Sequence, residues 1–284
     1  MSEQSNELGY VSRLAVALCE LTLSTLPWRV PDTRGGYADW RILAPALLGH
    51  ATLTTRTIMD LQPPQHLQAQ ILARSSMEAA ILFAWLAASP EDRVATWWEE
   101  SLARRSVTVE KRNDLLSRSR YAEDEAAAAA LSTPDWLPED DALEQRLLRD
   151  GKAIRAERRA GRKSALPPLE QQAGQADLHW MEHMRAKGLG LPLQAFSVVY
   201  RTIYERGHDA THSRAGLVAA LLARDSAGQA YCGLPPRPPH PGELPYEAAG
   251  GACIDMVCIA AEAVGLPSWS QVIAVMQQHG PSPE

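Results

Sequence analysis

Gln65-His66-Leu67-Gln68-Ala69-Gln70-Ile71-Leu72-Ala73-Arg74-Ser75-Ser76-Met77-Glu78-Ala79-Ala80-Ile81-Leu82-Phe83-Ala84-Trp85-Leu86-Ala87-Ala88 is the stretch that decides the fold. It is rich in Ala, Leu, Met, Gln and other residues that lose little side-chain freedom in a helix. Its apolar residues do not alternate as a strand would require, and they run nearly all the way round a helix. A helix of that kind belongs in the middle of a bundle. Placed at about 100° per residue, Ile71, Arg74, Glu78, Ile81, Leu82 and Trp85 share one stripe. Arg74 and Glu78 are therefore expected inside the apolar face, one turn apart. Burying either alone is costly, so they should pair with each other or with neighbouring helices. Such a pair either fixes helix register or lines a polar site.

Outward from this helix the same periodicity repeats. Towards the N-terminus, Glu7 to Leu26 reads as an amphipathic helix ended by Pro27, and Ala38 to Leu61 as a second, closed by Pro63-Pro64. Towards the C-terminus, Ser89-Pro90-Glu91-Asp92 is a cap-like start, with proline early and acids in the first turn. The helix it opens is expected to reach about Ser117. Tyr121 to Glu144 is acidic and holds five consecutive alanines, Ala126 to Ala130. Arg146 to Lys163 carries eight basic residues against two acidic ones, Asp150 and Glu157. Helices resume over Leu169 to Lys187 and Pro192 to Arg214. Gly233 to Pro245 has six prolines and reads as a loop. Tyr246 to Val264 and Ser268 to His279 close the series. No segment shows convincing strand alternation. The expected architecture is all-α: a multi-helix bundle forming one domain over 1–284, with a charged helical excursion over 118–168.

Composition fits that reading. Of 284 residues, 45% are apolar and 22% charged, which suits one sizeable core. The net charge of −6 argues against a nucleic-acid binder that uses its whole surface. The polar, acidic start lacks a signal peptide's basic region, and no run of apolar residues reaches membrane-spanning length. Cys19, Cys232, Cys253 and Cys258 show no paired metal-ligand spacing and read as reduced thiols, so a cytoplasmic location without membrane contact is expected.

Four of the eight histidines fall in two pairs four residues apart: His179 with His183, and His208 with His212. On a helix this places both imidazoles of a pair on one face, about 5–6 Å apart at Cβ. Each pair has a carboxylate in reach, Glu182 and Glu205. Helical bundles build metal centres from such His and Glu sets. Glu205, His208 and His212, with Glu78 or the His179/His183 pair opposite, form one candidate set for a divalent metal that would activate water or oxygen. His179 to His183 also spells His-x-x-Glu-His, the order of an inverted zinc-protease motif, although that motif belongs to a different fold. Near the second pair, Tyr200 and Tyr204 line a polar seam beside the core face. The expected site is the seam of Arg74, Glu78, Tyr200, Tyr204, His208 and His212.

Two resemblances add to this. Arg74-Ser75-Ser76-Met77-Glu78 with the apolar run to Trp85-Leu86, and Tyr200-x-x-x-Tyr204 followed by His212-Ser213, resemble a bacterial helical family termed domain of unknown function 5677. The likeness implies an all-α fold and no activity. Arg206-Gly207-His208-Asp209-Ala210-Thr211-His212 has five residues between arginine and histidine, and resembles the motif of HEPN-type ribonucleases, with Gly207 where that family carries a polar residue. This likeness implies metal-independent RNA cleavage in a toxin or phage-defence role. His212 would be the general acid or base and Arg206 the phosphate holder, with Arg74, Glu78 and Tyr204 in support. One continuous helix puts Arg206 and His212 about 120° apart, so a shared site needs a bend at Gly207 or a homodimer partner. The basic stretch Arg146 to Lys163 could contact phosphates or neutralise the acidic stretch before it. A third reading is a non-enzymatic module that binds a protein or small ligand through Trp97-Trp98, Trp136 and the proline loop.

Overall fold

In a computed structural model the chain is described over residues 9–25, 39–61, 66–118, 141–187, 195–201, 222–224, 230–232 and 244–279. The helices are α1 (Tyr10–Ser24), α2 (Trp40–Asp60), α3 (His66–Ala87), α4 (Pro90–Ser117), α5 (Asp141–Arg159), α6 (Leu169–Ala186), α7 (Phe196–Val199), α8 (Leu244–Ala263) and α9 (Trp269–His279). The fold is an all-α helical bundle, as the periodicity requires. One small departure is an antiparallel pair of three-residue strands, β1 (Leu222–Arg224) and β2 (Ala230–Cys232), in which Ala223 faces Tyr231. Three residues are too few for alternation to be read in a sequence. The expected proline loop is also shorter than its prolines suggest, because α8 opens at Leu244 with Pro245 in its first turn, where a missing N–H is harmless.

The chain divides into two compact units, one from 1–90 and 168–284, the other from 91–167. In the first, α3 packs against α2, α6 and α8, and α8 also meets α1, α2 and α9. The all-round apolar helix is thus central, as expected. Met77, Ile81, Phe83 and Leu86 of α3 are buried with Leu18, Leu48, Ile58, Met256 and Ile259. The Thr55 and Ser76 hydroxyls, both buried, satisfy each other at 2.7 Å between α2 and α3. Against α6, Trp180 Nε1 donates to the Ala84 carbonyl at 2.8 Å, and Trp85 Nε1 to Gln175 Oε1 at 2.7 Å. Each tryptophan so buries its rings without stranding its N–H.

The second unit joins α4 to α5 and takes in α4 as well as residues after 118. Its helices approach closely at Gly151, where a Cβ would lie 2.2 Å from Ser106 Oγ. Ala103, Ser106, Val109 and Ile154 are buried here. Around them the basic residues of α5 meet the acids of α4. Arg155 Nη2 donates to Glu110 Oε1 at 2.7 Å, Arg158 Nη1 to Glu100 Oε2 at 2.5 Å, and Lys163 pairs with Glu99. Arg112 and Asn113 converge on Glu144. Among the described residues the basic stretch thus pairs with the acids of α4, and most of the acidic segment before it lies outside the described residues. Burial pulls Glu100 upward, but the guanidinium groups of Arg104 and Arg158 outweigh it and hold this carboxyl below its ordinary range.

Candidate functional site

Arg74 and Glu78 do pair, with Arg74 Nε 2.9 Å from Glu78 Oε1. Their position corrects the sequence reading. The pair lies on the half-exposed margin of α3, Glu78 keeping 40% of its side-chain surface, and Ile71 on the same stripe is itself exposed. On that stripe Ile81 and Trp85 are nevertheless buried, and burial continues round the helix through Ala69, Ala73, Ser76, Met77, Ala80 and Phe83. A helix apolar nearly all round has no dominant face, so charge position could not tell core from margin. An i,i+4 pair so placed is a modest stabiliser.

His179 and His183 lie on α6 with their rings stacked, centroids 6.0 Å apart and planes 13° from parallel. Both rings set an edge against Trp180, which is buried. His183 Nε2 is 3.1 Å from Glu262 Oε1 of α8. A carboxylate only accepts, so this nitrogen carries its proton and donates. Lys187, which caps the C-terminus of α6, also donates to Glu262 Oε1, and Trp269 Nε1 of α9 donates to Oε2 at 2.9 Å. These contacts, with Lys187 foremost, hold the Glu262 carboxyl at about 2, against an opposing effect of burial. Sequence reasoning missed Glu262, Lys187 and Trp269, since three separate segments bring them together.

This arrangement bears on a metal at α6. His183 Nε2 is committed to Glu262, while Glu182 and His179 face solvent. Among the described residues no group of three or more His, Cys, Asp or Glu side chains is placed to hold a metal ion. The remaining candidates, Tyr204, Glu205, Arg206, His208 and His212, lie outside the described residues, as do Trp136 and most of the proline loop. Tyr200 is half-buried just after α7, and its neighbour Arg201 reaches Glu170 at 3.3 Å on the surface. Trp97 and Trp98 are both half-buried, rings 6.2 Å apart, with the Arg105 guanidinium 5.9 Å above Trp98.

One further polar device lies on α6. Asp177 accepts from Phe196 N at 2.6 Å, and from Ser197 N and Oγ at 2.9 and 2.6 Å. It caps the start of α7 from a neighbouring helix and fixes α7 against α6. Next to these bonded residues stand Leu178, 67% exposed, and Val198, 60% exposed, with Met181 one turn beyond Leu178 and 42% exposed. Large apolar side chains thus meet water on both elements that the Asp177 link joins. Neither the length nor the composition of the sequence singled them out.

No family model, no curated protein and no solved structure matches this chain. Among the described residues no helix is long and apolar enough to cross a membrane.

Proposed function

We propose that this chain is a non-enzymatic binding module that presents an apolar recognition patch at the junction of α6 and α7. The observation that carries this reading is the exposure of Leu178, Met181 and Val198 around the Asp177 link. Exposed large apolar side chains gathered on neighbouring elements are a mark of a protein contact. Two polar pairs among the described residues support the same reading from the other side. Arg74 is engaged by Glu78, and His183 by Glu262, in pairs that join or brace helices. The partner is a protein offering apolar side chains, with a few polar groups for His179 and Glu182 at the rim.

The test compares the full chain with a Leu178→Asp/Met181→Asp variant. Partners captured by each from its native cell extract are identified, and the melting temperatures of both forms are measured. A partner that binds the purified wild type directly and is lost in a variant of unchanged Tm supports the module. Equal capture by both forms removes the patch. RNA cleavage that resists chelators and disappears in Arg206→Ala and His212→Ala would replace this reading with the ribonuclease.

A further inference from the structure

At Gly250 the α1–α8 contact brings Ala15 and Val11 of α1 against a glycine of α8. A Cβ on Gly250 would lie 3.3 Å from the Ala15 Cβ, so the two backbones run close together. One turn further along both helices come Cys19 and Cys253, fully buried, with their sulfurs 3.6 Å apart. A disulfide needs two Cα atoms about 4.4–6.8 Å apart and sulfurs that can close to about 2 Å. The two sulfurs already stand in contact at 3.6 Å, so closure requires them to approach by the remaining distance to bond length.

We propose that Cys19 and Cys253 are a latent redox pair, which hydrogen peroxide closes into a disulfide that locks α1 to α8. Peroxide oxidises one thiolate to a sulfenic acid, and its second oxygen leaves as water. The other cysteine sulfur then attacks that sulfenic sulfur, forming the S–S bond and expelling hydroxide, which takes up the remaining proton. Two thiols lose two electrons and two protons, and one peroxide becomes two waters. Peroxide suits the site because it is small, whereas a mixed disulfide with a bulky thiol has no room between packed helices. The mutual hydrogen bond and burial push the Cys19 thiol upward, so little thiolate is present and closure is slow. Cys258, also buried on α8, is the internal control, since burial lifts its thiol too and the sulfur in contact with Cys19 is that of Cys253.

The test treats the full-length reduced protein with millimolar hydrogen peroxide overnight, then maps its peptides by mass spectrometry. The expected product is a peptide linking Cys19 to Cys253, lighter by two hydrogens and reopened by a reductant. Its Tm should rise by about 5–10 °C, because the cross-link closes a long loop. The link should persist in Cys258→Ser and vanish in Cys19→Ser and Cys253→Ser. Intact thiols after treatment, a link to Cys232 or Cys258, or Cys19 carried to an unlinked sulfinic acid would each overturn the proposal. Should a serine variant fail to fold, the peptide map of the wild type and of Cys258→Ser still decides.

Discussion

At Glu262 donors from α6, from its capping Lys187 and from α9 converge on one carboxylate. Hydrogen bonds to an ionised group are stronger than neutral ones, and each partner left behind is stranded. Glu262→Gln should therefore lower stability by about 1–2 kcal/mol near neutral pH, read by denaturant titration. The dependence on pH follows from its position at about 2 against an ordinary 4.5. A depressed carboxyl stabilises fully above its unfolded value, and loses that contribution as pH falls through its folded value. The gap between wild type and Glu262→Gln should be constant above pH 5, shrink below it, and close near pH 2. A gap that persists at pH 2 would show that packing, not charge, holds the site. Only part of this site was legible in the sequence. Arg74 with Glu78 and His179 with His183 share a helix, and the helical repeat alone brings each pair together. Glu262, Lys187 and Trp269 become neighbours only when α6, α8 and α9 dock, and no spacing encodes that.

Two glycines of helical elements sit in opposite surroundings, and they make the element scale testable. Gly151 of α5 lies where any Cβ would run into Ser106 of α4, whereas Gly174 of α6 has nothing within 4 Å. Alanine is the better helix former by about 1 kcal/mol where space allows. Gly174→Ala should thus raise stability by about 0.5–1 kcal/mol. Gly151→Ala should lower it by about 1–3 kcal/mol through overpacking, and Ser106→Gly should restore most of the loss. Differential scanning calorimetry reads both. Absence of rescue would mean that the α4–α5 approach is not set by this pair. The sequence announced these helices well, since their caps, prolines and periodicity are local signals. It did not announce which side of α3 faces inward. With apolar residues on every side, that choice belongs to its neighbours α2, α6 and α8. The three-residue strands escaped for the converse reason, being too short for a two-residue alternation to repeat.

The division into two compact units sets expectations for the whole molecule. Each has its own buried contacts, and the 91–167 unit leans on half-buried ion pairs where the other leans on a large apolar core. Thermal unfolding should therefore depart from a single two-state transition, and Gly151→Ala should move one transition while leaving the other in place. Raising salt to about 1 M should weaken the ion-paired unit more than the apolar one, because screening acts on charges and not on hydrophobic burial. A single transition shifted as one by both treatments would show that the units melt together. The packing of α1 and α3 on α8 also governs when the molecule can assemble. A ribosome delivers α1, α2 and α3 well before α8, the helix that packs on all three. Until α8 emerges, those three helices keep part of their apolar faces open to solvent and to chaperones. Residues 91–167 are contiguous, so α4 and α5 can meet as soon as both have emerged. The nascent chain thus finishes its middle before its centre, and synthesis stalled before α8 leaves an aggregation-prone intermediate.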